Sequence, residues 1–164
     1  MKILIIKLGA LGDVVRTTVL LSELIGEIYW LSKTNAGDLL NSSKISRKYF
    51  IESNKDLSKL QGEDFDLVIS LDEEKEVLEI VKKIKTKRLI GVYLDSNENI
   101  NYTKESSYWF DMSLSSKFGK KRADELKKEN IKSVPQILIE MIGKRWRGQE
   151  YDIGIIPEKL EKVK

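Results

Sequence analysis

Four consecutive apolar residues, Ile3-Leu4-Ile5-Ile6, lead through Lys7-Leu8 into a small-residue turn, Gly9-Ala10-Leu11-Gly12, and then into Asp13 and a helical repeat. A run like this has no polar face to give to water. It therefore belongs in the middle of a parallel sheet covered on both sides. Beyond the turn, Leu11, Val14, Val15, Thr18, Leu21, Leu24 and Ile25 recur at helical spacing, so a helix is expected from Asp13 onward, with Gly26 as its stop. Strand, tight turn and helix make the first half of a βαβ unit.

The pattern repeats. Ile28 to Leu31 reads as a second strand, Asn35 to Asn41 as a short helix and Tyr49-Phe50-Ile51 as a third strand. Asp66 to Leu71 is a fourth strand. Val77, Leu78, Ile80, Val81 and Ile84 mark an amphipathic helix, and Arg88 to Leu94 a fifth strand. This alternation predicts an α/β, Rossmann-like, doubly wound parallel sheet with right-handed crossovers. The second half changes character. Trp109 to Phe118, Arg122 to Glu129 and Val134 to Ile142 read as helices with few strand signals between them, and Pro135 suits the first turn of the last. Tyr151 to Pro157 is expected to be extended and Glu158 to Lys164 to be a charged tail.

Composition narrows the chemistry. With 164 residues, 41% of them apolar, the chain fits one core, and no apolar run approaches the ~20 residues needed to span a bilayer. Met1 to Lys7 places only four apolar residues between lysines and has no cleavage site after them, so Met1 reads as the mature start and the compartment as cytoplasmic. Cysteine and histidine are both absent, which removes disulfides, thiolate nucleophiles, the usual general base and the commonest metal ligands. Acid–base work falls to Asp, Glu, Lys or Tyr. Between Lys104 and Arg147 eleven basic residues face six acidic ones. Such a surplus attracts anionic partners, but solvated helix faces are its commoner origin, so no nucleic-acid partner is expected.

In open α/β sheets ligands bind at the carboxyl ends of the strands, which draws attention to Lys7 through Asp13. Gly9 and Gly12 let a ligand approach the backbone closely, and Asp13 stands where the helix begins. Two readings of Asp13 remain open at this level: a helix N-cap, or a carboxylate at the mouth of a crevice. Arg16 either holds an anionic substrate with Lys7 or pairs with Asp13 one turn away; Thr17 shares the Asp13 face and either meets the substrate or packs. Asp72, Glu73 and Glu74 follow the fourth strand at the crevice edge and read first as helix-start acids, and Tyr108-Trp109-Phe110 reads first as core. Lys120 to Arg122 and Lys144 to Arg147 read as solvated helix ends. The dinucleotide fingerprint is missing, and strand two ends in Leu31-Ser32-Lys33 without the acidic ribose ligand. The phosphate loop of P-loop NTPases is missing as well.

Residues Met1 to Thr18 resemble the opening of glycosyltransferase family 9, the ADP-heptose:lipopolysaccharide heptosyltransferases: an apolar strand, a small-residue turn, and Gly12-Asp13-Val14 leading a helix. Phe65 to Asp72 with Arg88 to Gly91, and Tyr151 to Pro157, are similar to later segments of that family. Val19 departs from it, since proline commonly stands there. The resemblance implies the N-terminal half of a GT-B enzyme, with residues 1–150 as the acceptor-side domain and 151–164 as the start of the interdomain linker. The domain that binds the nucleotide sugar, ADP-heptose by analogy, is then absent from this chain. It implies an inverting, metal-independent transferase with no cofactor. Asp13 is its expected catalytic base, and Lys7, Gly9, Gly12, Arg16 and Thr17 its substrate-binding residues. The implied partners are a nucleotide-sugar donor and a glycan or glycolipid acceptor, with peripheral association at the inner membrane. The alternative is a stand-alone α/β module that binds a phosphorylated ligand or nucleic acid.

Overall fold

The computed structural model describes residues 1–113 and 118–154. Its strands are β1 (Lys2–Ile6), β2 (Glu27–Ser32), β3 (Ile45–Phe50), β4 (Asp64–Phe65), β5 (Leu67–Ser70), β6 (Lys85–Thr86), β7 (Leu89–Leu94) and β8 (Ile100–Tyr102). The helices are α1 (Leu11–Thr17), α2 (Asn54–Gln61), α3 (Lys75–Lys83), α4 (Ser107–Phe110), α5 (Gly119–Glu129) and α6 (Val134–Met141). The main sheet runs β3-β2-β1-β5-β7-β8, parallel throughout except for β8, which pairs antiparallel with β7; β4 and β6 form a separate two-stranded pair.

Strand β1, apolar from Ile3 to Ile6, occupies the central place its sequence calls for. Ile3 and Ile5 point to one face and pack with Val14, Leu20, Trp30, Leu138 and Ile139. Leu4 and Ile6 point to the other and pack with Tyr49, Leu60, Phe65 and Val77. All four are fully buried. Helix α6 thus covers the sheet face that α1 also covers, while α2 and α3 cover the opposite one.

Several boundaries differ from the sequence expectation. The helix after β1 begins at Leu11, and from Thr18 to Ser22 it winds as a 3₁₀ helix. The change falls where Thr17, Thr18 and Ser22 send their hydroxyls back to the carbonyls of Asp13, Val15 and Val19 at 2.6–2.7 Å. Such back-bonding competes with regular helical geometry, and the β-branched run Thr17-Thr18-Val19 is a poor helix former. The short helix expected from Asn35 to Asn41 is 3₁₀ over Thr34–Leu39. Strand β3 starts four residues earlier than expected. Helix α2 was not anticipated, because only Leu57 and Leu60 break its polar run. The three-residue β8 carried no alternation to read.

Helix α4 stops at Phe110 rather than continuing to Phe118, and residues 114–117 of that expected helix lie outside the described residues. Pro135 sits in the first turn of α6, as its fixed φ favours, and Ser133 caps that helix by accepting from the Gln136 N–H. Tyr151 to Gly154 has no regular secondary structure, with Gly154 at φ +71°, and is tied to the rest of the chain by the Asn41 N–H, which donates to the Ile153 carbonyl at 3.1 Å, by the Asp152 N–H, which donates to Thr18 Oγ1 at 3.0 Å, and by an ion pair of Lys44 with Asp152 at 3.3 Å. The remainder of the expected extended segment, 155–157, and the charged tail 158–164 lie outside the described residues. Among the described residues no helix is long and apolar enough to cross a membrane.

Candidate active site

The order β3-β2-β1-β5-β7 means that the chain leaves β1 toward one edge of the sheet and returns to β5 on the other side. Loops that follow β1 and β5 therefore diverge, and a crevice opens between them at the carboxyl ends of the strands. A cleft of about 730 Å³ lies at this point. Lys7, Gly9, Ala10 and Asp13 line it from the β1 side, and Leu71 to Glu74 from the β5 side. Trp109, Phe110, Met112 and Ser113 close one end, and α5 and α6 with the turn between them add Lys127, Asn130, Val134 and Ile137.

The floor is an ion pair. Parallel register sets Ile6 opposite Ser70, so the next residues of the two strands run on side by side. Lys7 Nζ donates to Asp72 Oδ1 at 2.5 Å, and the Leu8 N–H donates to Asp72 Oδ2 at 2.5 Å. The Lys7 and Asp72 side chains are 9% and 3% exposed. The Lys7 carbonyl accepts from Ser32 Oγ at 2.8 Å, which ties the same segment to β2. Burial pushes the Asp72 carboxyl above its ordinary range, with the attraction of Lys7 and the Leu8 amide acting in the opposite direction. Asp72 is thus the anchor of the β1 turn rather than a helix-start acid. A lysine at the end of a buried strand needs a buried counter-charge, and that need could have singled out Asp72 in the sequence.

The turn above the floor stores backbone strain. Ala10 has φ +40°, a conformation that L residues avoid, while the glycines on either side do not take up a positive φ. An added Cβ on Gly12 would meet nothing within 4 Å, and one on Gly9 would make only ordinary contacts at 3.6 Å with Asp72 Oδ1 and Glu74 Oε1. The protein's own packing does not require glycine at either place.

Asp13 is in the first turn of α1 and does not cap it; the N-cap is Ala10. Its carboxylate accepts from Arg16 Nη1 at 3.1 Å and from no backbone amide among the described residues, and its side chain is 34% exposed. It lines the cleft together with Lys7 and Gly9. Gly12, Arg16 and Thr17 are not among the lining residues. Arg16 reaches solvent beside Asp13, and Thr17 is buried with its hydroxyl donating to the Asp13 carbonyl.

On the β5 side Glu73 accepts from Tyr102 Oη at 2.6 Å and from Ser113 Oγ at 3.3 Å. Burial, reinforced by the Glu73 carboxylate, drives the Tyr102 phenol far above its usual range and holds it as a donor. Glu74 is the N-cap residue of α3, but its side chain makes no capping bond and is exposed. Of the three aromatics expected in the core, Phe110 is buried against Tyr102 at 4.7 Å, Trp109 is half-buried in the cleft wall, and Tyr108 is exposed with its hydroxyl donating to Asn130. Glu73 stands at the crevice edge after β5, where the sequence places it, whereas Asn130 and Lys127 enter the site through tertiary packing, with no local motif to announce them.

No protein-family model and no curated protein matches the sequence. Solved structures do match its fold. A crystal structure of the glycosyl transferase family 9 protein from Veillonella parvula is 16% identical with a TM-score of 0.61, and the match covers 99% of this chain and 47% of that one. The E. coli heptosyltransferase WaaC with ADP-2-deoxy-2-fluoro heptose is 12% identical, with a TM-score of 0.58 over 94% of this chain and 52% of the other. WaaC with ADP is 14% identical, with a TM-score of 0.59 over 94% and 51%. The chain has the Rossmann-like fold found in these glycosyltransferases and spans about half of their length.

Proposed function

We propose that this chain is the acceptor-binding half of an inverting, metal-independent glycosyltransferase of GT-B architecture, with Asp13 as its general base. The observation that carries the reading is the Asp13 carboxylate: it lines a cleft at the switch point of the sheet and is not consumed by the helix it begins. The fold shared with the family 9 protein and with WaaC supports the reaction class.

In this reading the acceptor hydroxyl loses its proton to Asp13 as its oxygen attacks the anomeric carbon of the donor. A new glycosidic C–O bond forms while the bond to the nucleotide diphosphate breaks, and the electron pair leaves with the diphosphate. Attack from the face opposite the leaving group inverts the centre in a single displacement, so one base suffices, and the paired carboxylates of retaining glycosidases are not required. Gly9, and Gly12 with its open surroundings, leave room for the acceptor to approach the β1 turn. Lys7 holds that turn in place through Asp72. Arg16 orients Asp13 from the solvent side.

The donor belongs to a second domain outside this chain, in keeping with a match to only half of each neighbour. The WaaC structures contain ADP and an ADP-heptose analogue, which favours a heptose-like sugar on a nucleoside diphosphate for this protein too. A lipopolysaccharide-type acceptor at the cytoplasmic face of the inner membrane, reached by peripheral association, completes the proposal. The test is a transfer assay on the protein encoded by the whole reading frame, supplied with ADP-heptose and a core glycolipid. Nucleoside diphosphate release that depends on the acceptor is expected. A frame that stops after Lys164, with no release from any nucleotide sugar, would leave the stand-alone module as the better account.

A further inference from the structure

The basic surplus between Lys104 and Arg147 is not spread evenly over the surface. Glu105, Asp124, Glu125, Glu129 and Glu140 are each ion-paired with a lysine or an arginine. Lys144, Arg145 and Arg147 are exposed, and among the described residues their side chains have no hydrogen bond or ion pair. Glu150, also exposed, is the nearest acid in sequence, so residues 144–150 carry three positive charges against one negative. None of the three cations lines the cleft.

The loop that presents them is fixed from several sides. Gly143 and Gly148 take φ of +76° and +83°, turning the chain where α6 ends and again after Arg147. The Gly143 and Lys144 N–H groups donate to the Glu140 and Ile139 carbonyls at 2.9 and 3.1 Å, closing the helix. Gln149 then spans the loop. Its Oε1 accepts from the Arg147 N–H at 2.8 Å, and its Nε2 donates to the Arg145 carbonyl at 3.0 Å and to Glu23 Oε1 at 2.6 Å. Trp146, half-buried, packs against the core beneath α1 and α6. With the indole turned inward, the arginines on either side of it face solvent, no more than about 7 Å apart along the backbone.

Attraction to the carboxyl end of α6 accounts for Lys144 but not for arginines that lie beyond the last turn, where the field of the helix has fallen away. Two guanidinium groups on a braced loop offer planar N–H forks, a geometry matched to phosphate oxygens. The loop borders a groove of about 410 Å³ whose wall includes Trp146, Gln149 and Tyr151, which leaves room for the group that bears the phosphate.

We infer that the loop from Gly143 to Gln149 is a binding site for a phosphate-bearing ligand, separate from the cleft, with Arg145 and Arg147 holding the phosphate and Gln149 positioning them. Such a site does not depend on the transferase reading.

The test follows the backbone amides of residues 144–149 and the Trp146 indole N–H by NMR while the 164-residue chain is titrated with inorganic pyrophosphate, against sodium chloride at equal ionic strength. Pyrophosphate is expected to shift these resonances to saturation and chloride to leave them in place. Arg145→Gln with Arg147→Gln, both exposed changes, is expected to weaken binding about tenfold. Gln149→Ala keeps every charge and is expected to weaken it about threefold, because the forks are no longer held in place beforehand. A merely solvated cluster of cations would lose affinity in the first variant alone. Competition with phosphatidylglycerol vesicles then reads the source of the phosphate: displacement of pyrophosphate assigns the site to a lipid headgroup, and retention to a soluble phosphate compound. No saturable shift with pyrophosphate, an equal shift with chloride, or binding undiminished in either variant overturns the inference.

Discussion

Lys7 and Asp72 hold the cleft together from below, and each depends on the other. Removing the lysine alone leaves a buried carboxylate with no counter-charge, a change that typically costs about 3–5 kcal/mol. Lys7→Met is therefore expected to lower the urea midpoint sharply, and the double variant Lys7→Met/Asp72→Leu to recover much of the loss. Equal loss in the single and double variants would show that the pair is not coupled. The strained Ala10 makes the opposite prediction. Glycine adopts its φ of +40° without penalty, so Ala10→Gly should stabilise the folded chain by about 1 kcal/mol in denaturant unfolding, after allowing for the freer unfolded state. Strain kept at this turn fits a segment whose shape serves the cleft rather than the fold.

At the scale of elements, the pairing of β7 with β5 rests on a missing side chain. Gly91 has φ +119°, and a Cβ there would sit 1.8 Å from the Ser70 carbonyl oxygen. Since β5 is fully buried, its backbone cannot retreat, and Gly91→Ala is expected to cost at least ~3 kcal/mol or to prevent folding, as read by circular dichroism and urea titration. A near-neutral substitution would mean that the two strands pair otherwise. The apolar strands themselves were legible in the sequence because both of their faces are buried, so Ile3 to Ile6 and Leu67 to Ile69 carry an unbroken signal. Asp13 was legible as a site candidate from its place after a glycine turn, and the structure removes its capping role by setting Ala10 at the N-cap. Helix α2 and strand β8 were not legible. The first presents only two leucines to the core, and the second is a half-exposed edge whose partner, not its own pattern, makes it a strand. The Glu73–Tyr102–Ser113 contact joins three distant segments, and nothing local to any of them foretells it.

For the molecule as a whole, charge pairing sets the response to acid. Hydrogen-bonded lysines hold three carboxyls below their ordinary range: Lys87 acts on Asp66, Lys82 on Glu98 and Lys132 on Glu140. A carboxyl with a depressed folded-state pKa contributes stability above its unfolded value of about 4, and that contribution is lost as pH falls through the folded value. Asp72 runs the other way, since its raised pKa favours the fold in acid and that contribution fades as pH rises through the folded value. The melting temperature should therefore hold between neutral pH and about pH 5 and fall below about pH 4, with the fall reduced by added salt because these pairs are at least partly exposed. A melting temperature that rises on acidification below pH 4 would show Asp72 outweighing the surface pairs.

The proposal that Asp13 is the general base is tested most directly by Asp13→Asn in the protein encoded by the whole reading frame, with acceptor-dependent transfer and thermal stability measured together. A general base of this kind is worth about 10²- to 10⁴-fold in rate, so transfer should fall by that factor while the melting temperature stays close to that of the parent. Transfer within about twofold of the parent would contradict the assignment.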